Sequence, residues 1–161
     1  MNRGKNGRAR LRPGRPARIR VTRRFRAPRE RVFRAWLEPE VASRWLFATA
    51  LDPMPEVEID PRVGGSFRFA DRRNGTHIEH AGQYLEIVPH RRLVFTLAVG
   101  DRPRVLTRVI AEISPLKTGC ELALIHEDVP ANRADEAEAR WLGLLYGLDE
   151  TLSLPQRAEA R

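Results

Sequence analysis

After Leu51 the chain breaks into runs that alternate apolar and polar residues, joined by links too short for anything but a reversal. The runs are "PEVEID", "PRVGGSFRF", "HIEHAGQYLEIV", "RLVFTLAV", "RVLTRVIAEI" and "CELALIHE". Period-two patterning marks strands with one wet face. Their joints, "PHR", "GDRP" and "SPLKTG", are short and rich in turn formers, and "RRNG" carries an Asn-Gly hairpin signal. A parallel connection needs a crossover of about a dozen residues or more, so links this brief demand antiparallel neighbours. A meander of about six strands follows.

The rest of the chain supplies one more strand and three helices. "RIRVTRRF" alternates Ile19, Val21, Arg23 and Phe25 against arginines and a threonine, which predicts a strand over Arg18–Phe25. Pro28 can open a helix, because proline in the first turn gives up no needed N–H. Val32, Phe33, Trp36 and Leu37 recur at helical spacing, and Pro39 closes that run. A second short helix is predicted from Pro39 to Trp45, with Val41, Trp45 and Leu46 on its apolar side. From about Arg133, "RADEAEARWLGLLYGLDETLSL" sets Ala137, Trp141, Leu144, Leu145, Leu148 and Leu152 on one stripe, and Pro155 stops it. A sheet with its helices gathered on one face is an α+β architecture. Within it Phe33, Trp36, Trp45 and Phe47 are expected to roof a cavity.

The charge decides which partners to expect. The 161 residues carry a formal net charge of +8, which invites a nucleic-acid reading. Residues 1–20 hold seven arginines and one lysine without a single acid. Taking those eight from the 29 basic residues leaves 21, equal to the 21 acidic residues, so the body from Val21 onward is neutral. The expected organisation is a disordered basic tail over 1–17, one domain over 18–155 and a short tail over 156–161. The basic tail could meet phosphates or an acidic partner, but no aromatic residue interleaves with its arginines to stack bases. No apolar run approaches the roughly 18 residues of a membrane span, and no apolar signal region opens the chain. The one cysteine, Cys120, fits a reducing compartment, so the expected location is cytoplasmic.

"VTRRFRAPRERVFRAWLEPEVASRW", "VEIDPRVGGSFRF", "GQYLEIVPHRRLVFT" and "RWLGLLYGLDETL" together resemble the START-like, or SRPBCC, superfamily. More narrowly they resemble its branch of homologues of the activator of the ninety-kilodalton heat-shock protein ATPase. The resemblance implies a helix-grip fold: a curved antiparallel sheet of six to seven strands around a long C-terminal helix, with two short helices after the first strand. Sheet and helix would enclose an elongated apolar cavity. It also implies that Phe33 and Trp36 pack the first small helix and that Trp45 stands at the cavity mouth. Many relatives follow that Trp with a second Trp and a Gly-Pro turn, whereas this chain reads "RWLFA". Leu46 and Phe47 keep the mouth apolar and remove an indole donor. Folds of this kind often pair, so a homodimer is expected without a stretch that fixes its interface.

Few residues suggest chemistry. The expected cavity lining is Trp36, Trp45, Phe47, Phe67, Phe69, Tyr84, Phe95, Leu122, Leu124, His126, Trp141 and Leu145, with Tyr146 as further wall. His126 is in phase with Cys120, Leu122 and Leu124, so it would point into the cavity. There it could bind or protonate a ligand, or simply hydrogen-bond a neighbour at the rim. His77, Glu79 and His80 have the composition of metal ligands, but histidines three apart on a strand face opposite ways, so no metal is expected. Cys120 reads as a small buried hydrophobe. Glu56 with Glu58, and Glu79 with Glu86, read as solvated strand faces, and the face of Arg108 is left open. No nucleophile triad, phosphate loop or dinucleotide fingerprint is present, and no cofactor is expected. The leading expectation is a module that binds a small hydrophobic molecule. Two alternatives stand beside it: a cyclase or hydratase with His126 and one of the inner-strand acids as its candidates, and a protein-interaction role, either of the chaperone-activator kind or as a nucleic-acid-associated accessory using the basic tail.

Overall fold

The structure is a computed structural model that describes residues 15–48, 54–72, 75, 77–100 and 105–154. Most of the basic tail, the C-terminal tail, Pro155 and Asn74 lie outside the described residues. The elements run β1 (Ala17–Phe25), α1 (Arg29–Leu37), α2 (Pro39–Trp45), β2 (Glu56–Ile59), β3 (Ser66–Asp71), β4 (Ile78–Val88), β5 (Arg92–Val99), β6 (Thr107–Pro115), β7 (Cys120–Val129) and α3 (Ala134–Ser153), with one tight helical turn at Ala131–Arg133 before α3.

All seven strands join one antiparallel sheet in the order β1-β7-β6-β5-β4-β3-β2. From β2 to β7 each strand pairs with its successor, as the short links demand. β1 closes the sheet against β7. The alternation seen in sequence divides the faces. Leu93, Phe95 and Leu97 of β5, Val109, Ala111 and Ile113 of β6, and Leu122 and Leu124 of β7 enter the main core with the helices. Val94, Ile110 and Ile125 form a small cluster on the opposite face. This is the expected helix-grip architecture.

Two irregularities re-aim side chains. Between Tyr84 and Glu86 the β4–β5 register shifts, leaving Leu85 exposed and Ile87 against the core. Between Ala17 and Ile19 the β1–β7 register shifts as well, beside Asp128, whose φ of 66° lies in the left-handed region. That bulge returns Val129 to the main core, although strict alternation from His126 would turn it outward. The Gly64-Gly65 turn anchors the start of β3 to β4. Gly64 N–H donates to the Tyr84 carbonyl at 2.8 Å, and Tyr84 N–H donates to the Gly65 carbonyl at 2.9 Å. Gly64 has a φ of 88°, which a side chain would resist.

α3 grips the sheet through its C-terminal half. Leu145 and Leu148 are fully buried beside Trp141, Leu144 and Leu152. Arg23 lies in the inward phase of β1 and donates to Asp149 of α3 at 2.8 Å, with its guanidinium 5.5 Å from the Tyr146 ring centroid. Tyr146 is therefore 56% exposed and is no cavity wall, because it covers this ion pair from outside. Arg108 also faces out, 3.8 Å from Glu127. No described helix is long and apolar enough to cross a membrane.

Candidate functional site

The N-terminal half of α3 stands off the sheet. Glu136, Ala137, Arg140, Trp141 and Leu144 fall on one stripe at three- and four-residue steps, and this stripe, with Arg133 at the helix cap, faces the ends of β5, β6 and β7 across a cavity of about 560 Å³. Phe47, His80, Leu97, Val99, Val105, Thr107, His126 and Val129 complete most of its wall. The volume is that of a small-molecule site.

The residues expected to line a cavity separate into three groups. Phe47, His126 and Trp141 do line it. Trp36, Phe67, Phe69, Tyr84 and Phe95 surround, with Phe47, only a void of about 10 Å³. Their rings meet edge-on or tilted, Phe67 to Phe95 at 5.3 Å and Phe67 to Tyr84 at 5.4 Å, so they fill their own space. Trp45, Leu122, Leu124 and Leu145 are buried in the core and touch neither cavity nor void. Trp45 does not stand at the mouth. It packs edge-on against Trp36 at 4.7 Å and donates its Nε1–H to the Ala35 carbonyl at 3.0 Å, tying α2 to α1.

His126 is held on both sides. The Trp141 indole, which can only donate, gives its Nε1–H to His126 Nδ1 at 3.0 Å. Nδ1 must therefore accept, and the ring proton of the neutral imidazole belongs to Nε2. Nε2 lies 2.8 Å from Thr107 Oγ1, which in turn donates to the Leu97 carbonyl at 3.0 Å. The relay Trp141, His126, Thr107, Leu97 is complete. Burial pushes the His126 pKa from 6.5 down to about 4, while Asp128 acts the other way. A buried neutral ring with both nitrogens engaged is a structural hydrogen-bonding element, with no free nitrogen for proton transfer. What the relay leaves to the cavity is the second lone pair of Thr107 Oγ1.

His80, weighed from the sequence only as a metal ligand, is a cavity residue. It faces inward on β4, 4% exposed, and its Nδ1 is buried with no hydrogen-bond partner. Phe47 stacks on its ring at 4.3 Å, held in the left-handed region with φ 61°. Burial first, and then the Arg140 charge, lower the His80 pKa to about 4. His77 lies on the outer side, 3.6 Å from Glu79. No group among the described residues could hold a metal ion. The signal for His80 was present in sequence: it shares its phase on β4 with Gly82 and Tyr84, whose ring is buried. Thr107 offered none, and Arg133 and Arg140 could be found only by extending the Trp141 stripe toward the helix start.

The remaining candidates fall away from the cavity. Glu79 pairs with Arg68 at 3.1 Å, Glu56 with Arg72 at 3.2 Å, and Glu86 with Arg92 at 3.1 Å, on the outer face or its edge. Cys120 is buried, its Sγ 3.5 Å from the Ala27 carbonyl, and burial followed by Glu30 raises its pKa.

Comparison with known proteins adds a family and a fold. The model of a family described as Activator of Hsp90 ATPase homolog 1-like protein matches residues 26–153. A crystal structure of a Chromobacterium violaceum protein is 28% identical, covers 86% of this chain and 98% of its own, and superposes with a TM-score of 0.73. A Rhodobacter sphaeroides protein is 25% identical over 88% of this chain and 95% of its own, with a TM-score of 0.73. CalU16 from Micromonospora echinospora is 25% identical over 88% of this chain and 79% of its own, with a TM-score of 0.67. No curated protein matches.

Proposed function

The chain belongs to the Activator of Hsp90 ATPase homolog 1-like family, within the START-like superfamily, and from that premise we propose that it is a binding module for a small, largely hydrophobic molecule. The observation that carries this reading is the cavity of about 560 Å³ between α3 and the sheet, walled mainly by Phe47, Leu97, Val99, Val105, Val129, Trp141 and Leu144 with a few polar groups among them. Such a site draws its affinity from burial, about 0.8 kcal/mol for each methylene removed from water, and its selectivity from the polar groups. Binding is favoured over cyclase or hydratase chemistry because the candidate proton-transfer group, His126, has both nitrogens engaged within the protein. We assign the module to a reducing compartment, in keeping with a buried, unpaired Cys120.

Ala137→Trp tests the reading, since Ala137 lines the cavity from a half-exposed position on α3 and an indole there would occupy it. Native mass spectrometry of the purified wild type, with extraction of whatever leaves on denaturation, should yield an apolar adduct that Ala137→Trp lacks at unchanged melting temperature. An adduct carried equally by both proteins would sink the assignment to this cavity.

A further inference from the structure

Resting on that binding reading, we propose that the occupant is an amphipathic acid: its apolar body fills the cavity, its anionic head meets Arg133 and Arg140, and one polar group bonds His80 Nδ1. Three observations converge on this chemistry. First, His80 lines the cavity, and its Nδ1 is buried with no hydrogen-bond partner within the protein. Proteins pair nearly all such atoms; Trp36 Nε1 is left in the same state within the packed core, whereas His80 stands beside the cavity, where an occupant can supply the partner. The neutral imidazole can present either a donor or an acceptor there, and the stacked Phe47 ring fixes its plane.

Second, the facing wall is cationic. Arg133 caps the start of α3 and Arg140 lies seven residues on, within the helix, and both line the cavity. Among the described residues neither makes an ion pair, a state they share with Arg20, Arg26, Arg31, Arg44 and Arg91, but unlike those five they line the cavity. Glu136, between them, lines the cavity too and cancels one of the two charges, so the rim stays net positive. The N-terminal end of α3 adds its partial positive charge. Third, Arg140 and His80 line the same cavity, so one occupant can meet the guanidinium and the imidazole together, in keeping with the Arg140 charge adding to burial in lowering the His80 pKa. A cation would be repelled here. An uncharged hydrocarbon would leave His80 unpaired and the guanidiniums in water. A carboxylate offers them a planar, bidentate acceptor.

Paired fluorescent probes test the assignment on the full chain. Anilinonaphthalenesulfonate carries an anionic head, and phenylnaphthylamine presents the same rings without charge. At low salt the anion should bind about tenfold more tightly, with a preference that shrinks as salt rises. Arg133→Gln with Arg140→Gln, both exposed, one at the cap of α3 and one within it, should reduce that preference to within about twofold and leave the uncharged probe unaffected. The His80 ring resonances should shift when the anion binds. Equal affinity for the two probes, a preference unchanged in the double variant, or unmoved His80 signals would overturn the acidic head and leave the cavity reading standing. Failure of both probes to bind would remove the binding reading with it.

Discussion

Acid should unfold this domain earlier than its surface suggests, because two buried histidines must stay neutral in the native state. His80 is 4% and His126 8% exposed, and each has its pKa lowered from 6.5 to about 4. The sign follows from proton uptake. Between those values the unfolded chain binds a proton that the folded chain refuses, so each histidine contributes stability that is full above pH 6.5 and is lost as the pH falls toward 4. At about 1.4 kcal/mol per pH unit, lowering the pH from 7 to 5 removes about 2 kcal/mol for each ring and about 4 kcal/mol for the pair. That is a large part of the 5–15 kcal/mol typical of a domain. Urea unfolding followed by tryptophan fluorescence at both pH values reads it directly. With a slope of about 2 kcal/mol per molar, the midpoint should drop by about 2 M. His80→Phe and His126→Gln should each remove half of the drop, since phenylalanine does not titrate and a glutamine amide can both accept from Trp141 and donate to Thr107. A wild-type midpoint that is the same at pH 7 and pH 5 would refute the reasoning. So would a double variant that falls as steeply as the wild type.

Three further outcomes follow from contacts already described. Gly82→Ala would set a Cβ 1.8 Å from the Thr96 carbonyl and 2.8 Å from the Phe67 ring, so it should cost at least about 1–3 kcal/mol in urea unfolding. His126→Ala should cost about 2–3 kcal/mol, because it orphans the buried Trp141 N–H and opens a gap, while Trp141→Phe in the same background should recover part of that loss. Cys120, buried and with its thiol pushed up, should react with a thiol reagent only as fast as the domain opens, and labelling as rapid as that of a free thiol would contradict its burial.

The architecture could be read from the chain because it rests on local rules. Alternation assigned Phe67, Phe69, Phe95 and Leu122 to the inner face, and the brief joints forced antiparallel neighbours, since no crossover fits in three to six residues. The stripe through Trp141, Leu145 and Leu148 identified the gripping helix for the same reason: helical and strand periods are properties of a few neighbouring residues. Even the inward aim of His126 followed from its phase with Leu122 and Leu124. Where space is left over is a different kind of question. An aromatic residue on an inner face can line a cavity or fill it, and the difference lies in how rings from separate strands meet. Phe67, Tyr84 and Phe95 filled theirs, and the opening formed instead under the first turns of α3, where Ala137 is small and the helix diverges from the sheet. Bulges at Tyr84–Glu86 and at Asp128 shifted the phase that alternation alone would extrapolate. The state of His126 depended on an indole 15 residues away and a hydroxyl 19 residues away, and the unpaired His80 on everything that failed to reach it. Periodicity fixes which way a side chain points; only packing in three dimensions decides what it meets there.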